Sequence, residues 1–154
     1  MESAIYTIGY GNRRIEDFIN LLHKHEIDLL IDVRSRPFSR FNPNFRKKSL
    51  ELHLINNNIR YLFLGQELGG KPTDQSCYSE NEVDYQKIKS KPFFKSGIQE
   101  VTKLTENGYT VALMCAEQSP VHCHRKLLVG DYLESLGYSI IHIDKYGAIL
   151  NELF

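Results

Sequence analysis

Between Cys115 and Arg125 the chain sets two cysteines, two histidines, a glutamate and an arginine into one short run, Cys115-Ala-Glu-Gln-Ser-Pro-Val-His-Cys-His-Arg125. Three chemistries are open to it. As a nucleophile, Cys115 would sit beside the amides of a following helix, with Arg125 and the histidines favouring its thiolate. As a metal site, Cys115, His122, Cys123 and His124 carry suitable donor atoms, but their spacing matches no zinc pattern, and no metal set is assigned. As structure, Cys115 and Cys123 are small buried hydrophobes, Ser119 caps the helix and Pro120 opens it. A thiol phosphatase loop would need an arginine where Val121 stands; Arg125 comes later. On this reading Glu117 is the candidate general acid or base, with Cys115 or His124 assisting it.

The flanks of that run say where it lies. Tyr109-Thr-Val-Ala-Leu-Met114 is apolar and reads as a buried strand, and Lys126 to Glu134 has helical periodicity. A strand feeding a polar turn and then a helix is where open α/β sheets place binding and catalytic groups.

A second run, Arg34 to Lys48, holds Arg34, Arg36, Arg40, Arg46, Lys47 and Lys48 and no acidic residue. Phe38, Phe41 and Phe45 interleave with these cations. Guanidinium forks suit phosphate or carboxylate, and phenylalanine faces can stack on bases, so this segment reads as an anion or nucleic-acid surface. It reads equally as a solvated loop whose phenylalanines anchor it from below. Arg34, Arg40 and Arg125 are the candidate anion clamps.

Gly9-Tyr-Gly11 resembles the opening of a dinucleotide fingerprint, with Asp32 near the distance of a ribose contact. Arg14 takes the place of the third glycine, and Arg34 beside Asp32 makes an internal ion pair an equal reading. No nicotinamide, flavin or other cofactor is therefore assigned. Gly9 and Gly11 remain candidates for bringing the backbone close to a phosphate at the first helix.

The elements that must position these groups alternate. Strands are expected at Ala4–Ile8, Asp28–Val33, Arg60–Leu64, Tyr109–Met114 and Ser139–Ile143. Helices are expected from Asn12, as cap, through Leu22, around Ser49–Asn56, over Phe94–Glu106 ending at Gly108, and after Cys115. Residues Gly65 to Glu82 read as irregular. Repeated strand–helix–strand units with continuously apolar strands imply one α/β domain. It is a Rossmann-like three-layer sandwich over residues 1–154, whose mostly parallel sheet has the first strand at its centre. Strand ends near Ile8, Val33 and Met114 should lie side by side.

Composition narrows the function classes. Nineteen basic side chains balance 19 acidic ones, so no overall field steers the protein to nucleic acid. Three cysteines without framework spacing argue for a reducing compartment. With no leader-like start and no long apolar span, a cytoplasmic protein without membrane attachment is expected. Oligomeric state is not legible.

Thr7-Ile-Gly-Tyr10, Asp32-Val-Arg34, Pro37, Ser39-Arg40, Leu68-Gly-Gly70, Cys115-Ala-Glu117 and Cys123-His-Arg125 together give the chain a resemblance. In this order and spacing they resemble family 488 of the domains of unknown function, from Tyr6 to about His142. The resemblance implies a compact α/β domain and brings no activity with it. It makes Arg34, Arg40, Cys115, Glu117, Cys123, His124 and Arg125 the positions that match the family pattern. A weaker likeness to rhodanese domains runs through Leu30-Ile-Asp-Val-Arg34 and the later strand ending in cysteine. The six-residue loop with a nearby arginine of such sulfurtransferases is absent from this sequence. The expectation is a small enzyme binding an anionic, phosphate-bearing substrate for hydrolysis or group transfer. The alternative is a non-catalytic nucleic-acid or nucleotide-binding module.

Overall fold

The computed structural model describes residues 3–117, 124–144 and 146–149, the side chains of 125–127 excepted. The first half contains β1 (Ala4–Gly9), α1 (Ile15–Lys24), β2 (Leu29–Asp32), α2 (Lys47–Ile55), β3 (Arg60–Phe63) and the single turn α3 (Gly65–Leu68). Then come the short strands β4 (Tyr78–Ser79) and β5 (Glu82–Val83), and the helices α4 (Tyr85–Lys89) and α5 (Pro92–Glu106). The strand β6 (Val111–Cys115), a π-helical stretch Arg125–Gly130, α6 (Asp131–Ser135) and β7 (Ser139–His142) follow.

Five strands form one parallel sheet in the order β3-β2-β6-β1-β7. The α/β sandwich with a parallel sheet is therefore as expected, and the ends of β1, β6 and β2 lie side by side. The middle place belongs to β6 and not to β1, which stands between β6 and β7. Strand identity can be read from apolar runs, but the order across a sheet depends on crossovers that those runs do not encode.

Both sheet faces are covered, which explains why the strands lack alternation. Leu30, Ala112 and Met114 face one core with Phe18 and Leu22 of α1 and Leu50 and Leu54 of α2. Leu29, Ile31, Leu113 and Cys115 face the other, with Phe94, Ile98 and Val101 of α5 and Leu133 of α6. Successive strand residues thus serve opposite layers, and each buried Leu, Ile or Phe contributes roughly 1.5–3 kcal/mol relative to exposure.

Helix α1 forms because Ile15, Phe18, Ile19 and Leu22 repeat at helical spacing, with Glu16 and Asp17 in its first turn and Lys24 in its last. Its N-cap is Arg14, without a side-chain bond, and not Asn12. Residues 10–13 are taken up by a turn, closed by the Arg13 amide on the Tyr10 carbonyl, so the helix starts later. Helix α5 opens on Pro92 and stops before Gly108, whose φ of +100° no other residue type adopts readily. Segment 65–82, expected to be irregular, contains α3 and the β4–β5 hairpin. Its elements are too short for any period to show. Glu80 and Asn81 both take positive φ, 52° and 68°, as a two-residue hairpin turn of the primed type requires. Among the described residues no helix is long and apolar enough to cross a membrane.

Candidate functional site

The parallel register carries three loops to one edge. Gly9 pairs with Cys115 and Asp32 with Met114, so β1, β6 and β2 end level with each other. Backbone bonds continue past the strands, from the Tyr10 amide to the Cys115 carbonyl and from the Gly11 amide to that of Ala116. After β1 and β2 the chain leaves for the α1/α2 layer; after β6 it leaves for the opposite one. Neighbouring strands whose exits diverge leave a crevice between them. Here it is a cleft of about 600 Å³. Tyr10, Arg34, Arg36, Phe38, Gly70, Cys115, Glu117 and His124 line it. Tyr78, Asn81 and Val83 of the hairpin, with Lys71 and Tyr85, complete the wall.

Its floor rests on a buried ion pair. Asp32 is fully buried at the end of β2, and Arg34, 5% exposed, grips it in bidentate fashion through Nε at 2.9 Å and Nη2 at 2.8 Å. The Tyr61 hydroxyl donates to the same carboxylate at 2.7 Å, and the Arg34 amide adds a bond at 3.1 Å. Burial works against the Arg34 charge, but the bonds and charge of Asp32 more than offset it, and its pKa lies above the ordinary arginine value. Burial, then the neighbouring Asp32 charge, push the Tyr61 phenol far above the ordinary tyrosine range. The third Arg34 donor reaches the Tyr10 hydroxyl at 3.5 Å, and the guanidinium lies 5.3 Å from the Tyr10 ring centre. Tyr10 in turn stacks on Phe45 at 4.4 Å. The floor is locked from both directions. Gly65 belongs to the same lock: a Cβ there would stand 1.8 Å from the Arg34 carbonyl oxygen.

Arg34 is thus in the cleft, committed to Asp32 in the internal ion pair that the sequence left as one of two readings. Arg40 is exposed, rests on Phe41 at 5.3 Å and does not line the cleft. Gly9 and Gly11 lie at the β1 end, where the Gly9 carbonyl accepts from Arg13 and Gly11 takes φ +51°; neither lines the cleft. Cys115 does, and it is 2% exposed with its thiol donating to the Glu117 carbonyl at 3.7 Å. Glu117 is exposed on the rim. His124 lies against Gly70 and donates from Nε2 to the Val33 carbonyl at 2.9 Å. The Arg125 side chain, Ser119, Pro120, Val121, His122 and Cys123 lie outside the described residues. Among the described residues no three His, Cys, Asp or Glu side chains gather as a metal ion would require.

Sequence reasoning did not single out Lys71, Tyr78, Asn81, Val83 and Tyr85. The signal that would have found the hairpin residues is the turn-forming Glu80-Asn81 pair between Tyr78 and Tyr85. It makes a hairpin whose side chains must face something.

The model of the family described as domain of unknown function DUF488 matches residues 14–133. The matched span includes Arg34, Arg40, Cys115, Glu117, Cys123, His124 and Arg125, and leaves out Gly9 and Gly11. It carries the resemblance to that family and not the weaker likeness to rhodanese domains. Comparison with curated proteins and with solved structures finds no match. With residues 14–133 matched, most of its length, the chain belongs to the DUF488 family.

Proposed function

We propose that the chain is a small enzyme that holds a phosphate-bearing substrate in this cleft for hydrolysis or group transfer. The observation that carries the reading is the company of groups in one cavity: the Glu117 carboxylate, the His124 imidazole and the cations Arg36 and Lys71. Arg36 and Lys71 receive the anion, with Arg125 as the further clamp from the sequence reading. The aromatic walls, Tyr10, Phe38, Tyr78 and Tyr85, hold an apolar or planar part of the substrate. Arg34 acts as a positioning residue through Tyr10. Glu117 takes the proton of the attacking water or hydroxyl and returns it to the leaving oxygen, and the His124 imidazole assists. Cys115 shapes the floor, since a buried thiol bonded to a carbonyl is poorly placed to attack.

The test is a panel of phosphate mono- and diesters with wild type and Glu117→Gln. The variant should lose roughly 10²–10⁴-fold in turnover, with substrate affinity by calorimetry little changed. An Arg36→Ala/Lys71→Ala variant should instead lose affinity. Phosphate compounds that bind wild type and this double variant equally would sink the reading. A second reading, a nucleic-acid or nucleotide-binding module without catalysis, is favoured by the exposed Phe41 ring beside Arg40. Salt-dependent oligonucleotide binding with no turnover would select it.

A further inference from the structure

We infer that the substrate is a single strand of nucleic acid, one nucleotide of which enters the cleft while its neighbours lie along the loop from Arg36 to Lys48. This rests on the cleft being a substrate site. Phe41 is 89% exposed and Phe38 46%, although burying a phenylalanine is normally favourable. Each exposed ring carries a guanidinium: Arg40 lies 5.3 Å from the Phe41 centre, and Arg46 and Arg36 lie 4.5 and 5.6 Å from that of Phe38. Between Asp32 and Glu51 no acidic residue interrupts Arg36, Arg40, Arg46, Lys47 and Lys48, in a chain whose total charge is zero. Aromatic faces interleaved with cations are what a base-and-phosphate polymer uses, the rings stacking bases and the cations tracking the backbone.

Two further observations tie this surface to the cleft. Arg36 and Phe38 belong to both, so the platform runs without a break into the aromatic walls. The loop is also pre-shaped. Phe45 is fully buried beneath it, and Asn42 bonds from its side chain to the Arg13 carbonyl at 2.9 Å. The Arg46 Nε bonds to the Ser39 carbonyl at 3.0 Å and the Lys47 amide to that of Pro37 at 3.1 Å. A rigid platform loses little entropy on binding. Bases in a duplex already stack on each other, so exposed rings of this kind select unpaired strands.

The test is anisotropy of fluorescein-labelled twelve-nucleotide dT and rU strands, with a labelled duplex, with dTMP and UMP as competitors, and with vesicles of phosphatidylcholine and phosphatidylserine. One of the two strands should bind roughly 100-fold tighter than its mononucleotide, because loop and cleft act together. The comparison of dT with rU assigns the sugar. The duplex should bind at least about ten-fold more weakly than the strand. Phe41→Ala, which removes no buried contact, should weaken the strand by about ten-fold and leave mononucleotide affinity unchanged. Arg40→Ala/Lys48→Ala should lower the slope of log affinity against log salt by roughly 1.4. A strand binding no tighter than its mononucleotide, or unaffected by Phe41→Ala, overturns the inference and leaves the cleft reading standing. A strand that binds while mononucleotides do not removes the cleft reading and this inference together. Vesicle binding lost in Phe41→Ala, with no strand binding, assigns the loop to a lipid surface and overturns it as well.

Discussion

Arg34 and Arg36 stand two residues apart, carry the same charge and serve opposite purposes. Arg34 extends the line of β2 and falls on the same side as Asp32, two residues before it, where the pair closes in the buried floor of the cleft. The chain then bends at Ser35 and Arg36, and Arg36 swings outward to lie over Phe38. One guanidinium has its donors committed to protein groups; the other is exposed and lies over a ring face. Among arginines, net charge and motif are therefore poor guides to ligand binding. The backbone direction at each position decides.

The contrast predicts very unequal responses to substitution. Asp32→Asn leaves a buried guanidinium facing a neutral partner and should destabilise the fold by about 3–5 kcal/mol in denaturant unfolding. Arg36→Ala should stay within about 0.5 kcal/mol of wild type. Similar losses in the two variants would erase the distinction.

A smaller effect sharpens it. Tyr61→Phe removes a bond to a buried carboxylate and should cost roughly 1.5–3 kcal/mol at neutral pH. Tyr61 has a raised pKa in the folded state, so the native protein holds its phenolic proton more tightly than the unfolded chain. The stability this contributes is full below about pH 10 and is lost as pH rises beyond it. Urea midpoints between about pH 9 and 11 should fall in wild type, and the fall should be shallower in Tyr61→Phe. An equal fall in both would place the alkaline sensitivity elsewhere.

The gentlest probe is alkylation at neutral pH. Cys77 and Cys115 are both buried, and burial raises the Cys77 thiol above its ordinary value. Both should react slowly in the native state and quickly after unfolding. Rapid, selective labelling of Cys115 would show that the floor opens, and would move the proposed reaction toward covalent catalysis.

What was legible in the sequence follows the same division between inside and outside. Leu29–Asp32 and Val111–Cys115 could be placed because strands covered on both faces are apolar at every position. Their shared edge followed from their being parallel, and with it Arg34, Cys115, Glu117 and His124 at one cleft. Arg40 was grouped with them on its position in the same loop, but position in a loop says nothing of side-chain direction, and it lies outside. Lys71, Tyr78 and Tyr85 were missed because they come from a separate stretch of chain, folded over by strands of only two residues. Contacts made by such short elements leave no period to detect.

The hairpin of β4 and β5 stands apart from the sheet it overlooks. It forms one wall of the cleft through Tyr78, Asn81 and Val83, yet contributes no strand to the five-stranded sheet. Its length and its tip residues can therefore be altered without shifting the register that aligns Gly9, Asp32 and Cys115 beneath it. In this architecture the width of the cleft entrance and the geometry of its floor are adjustable separately.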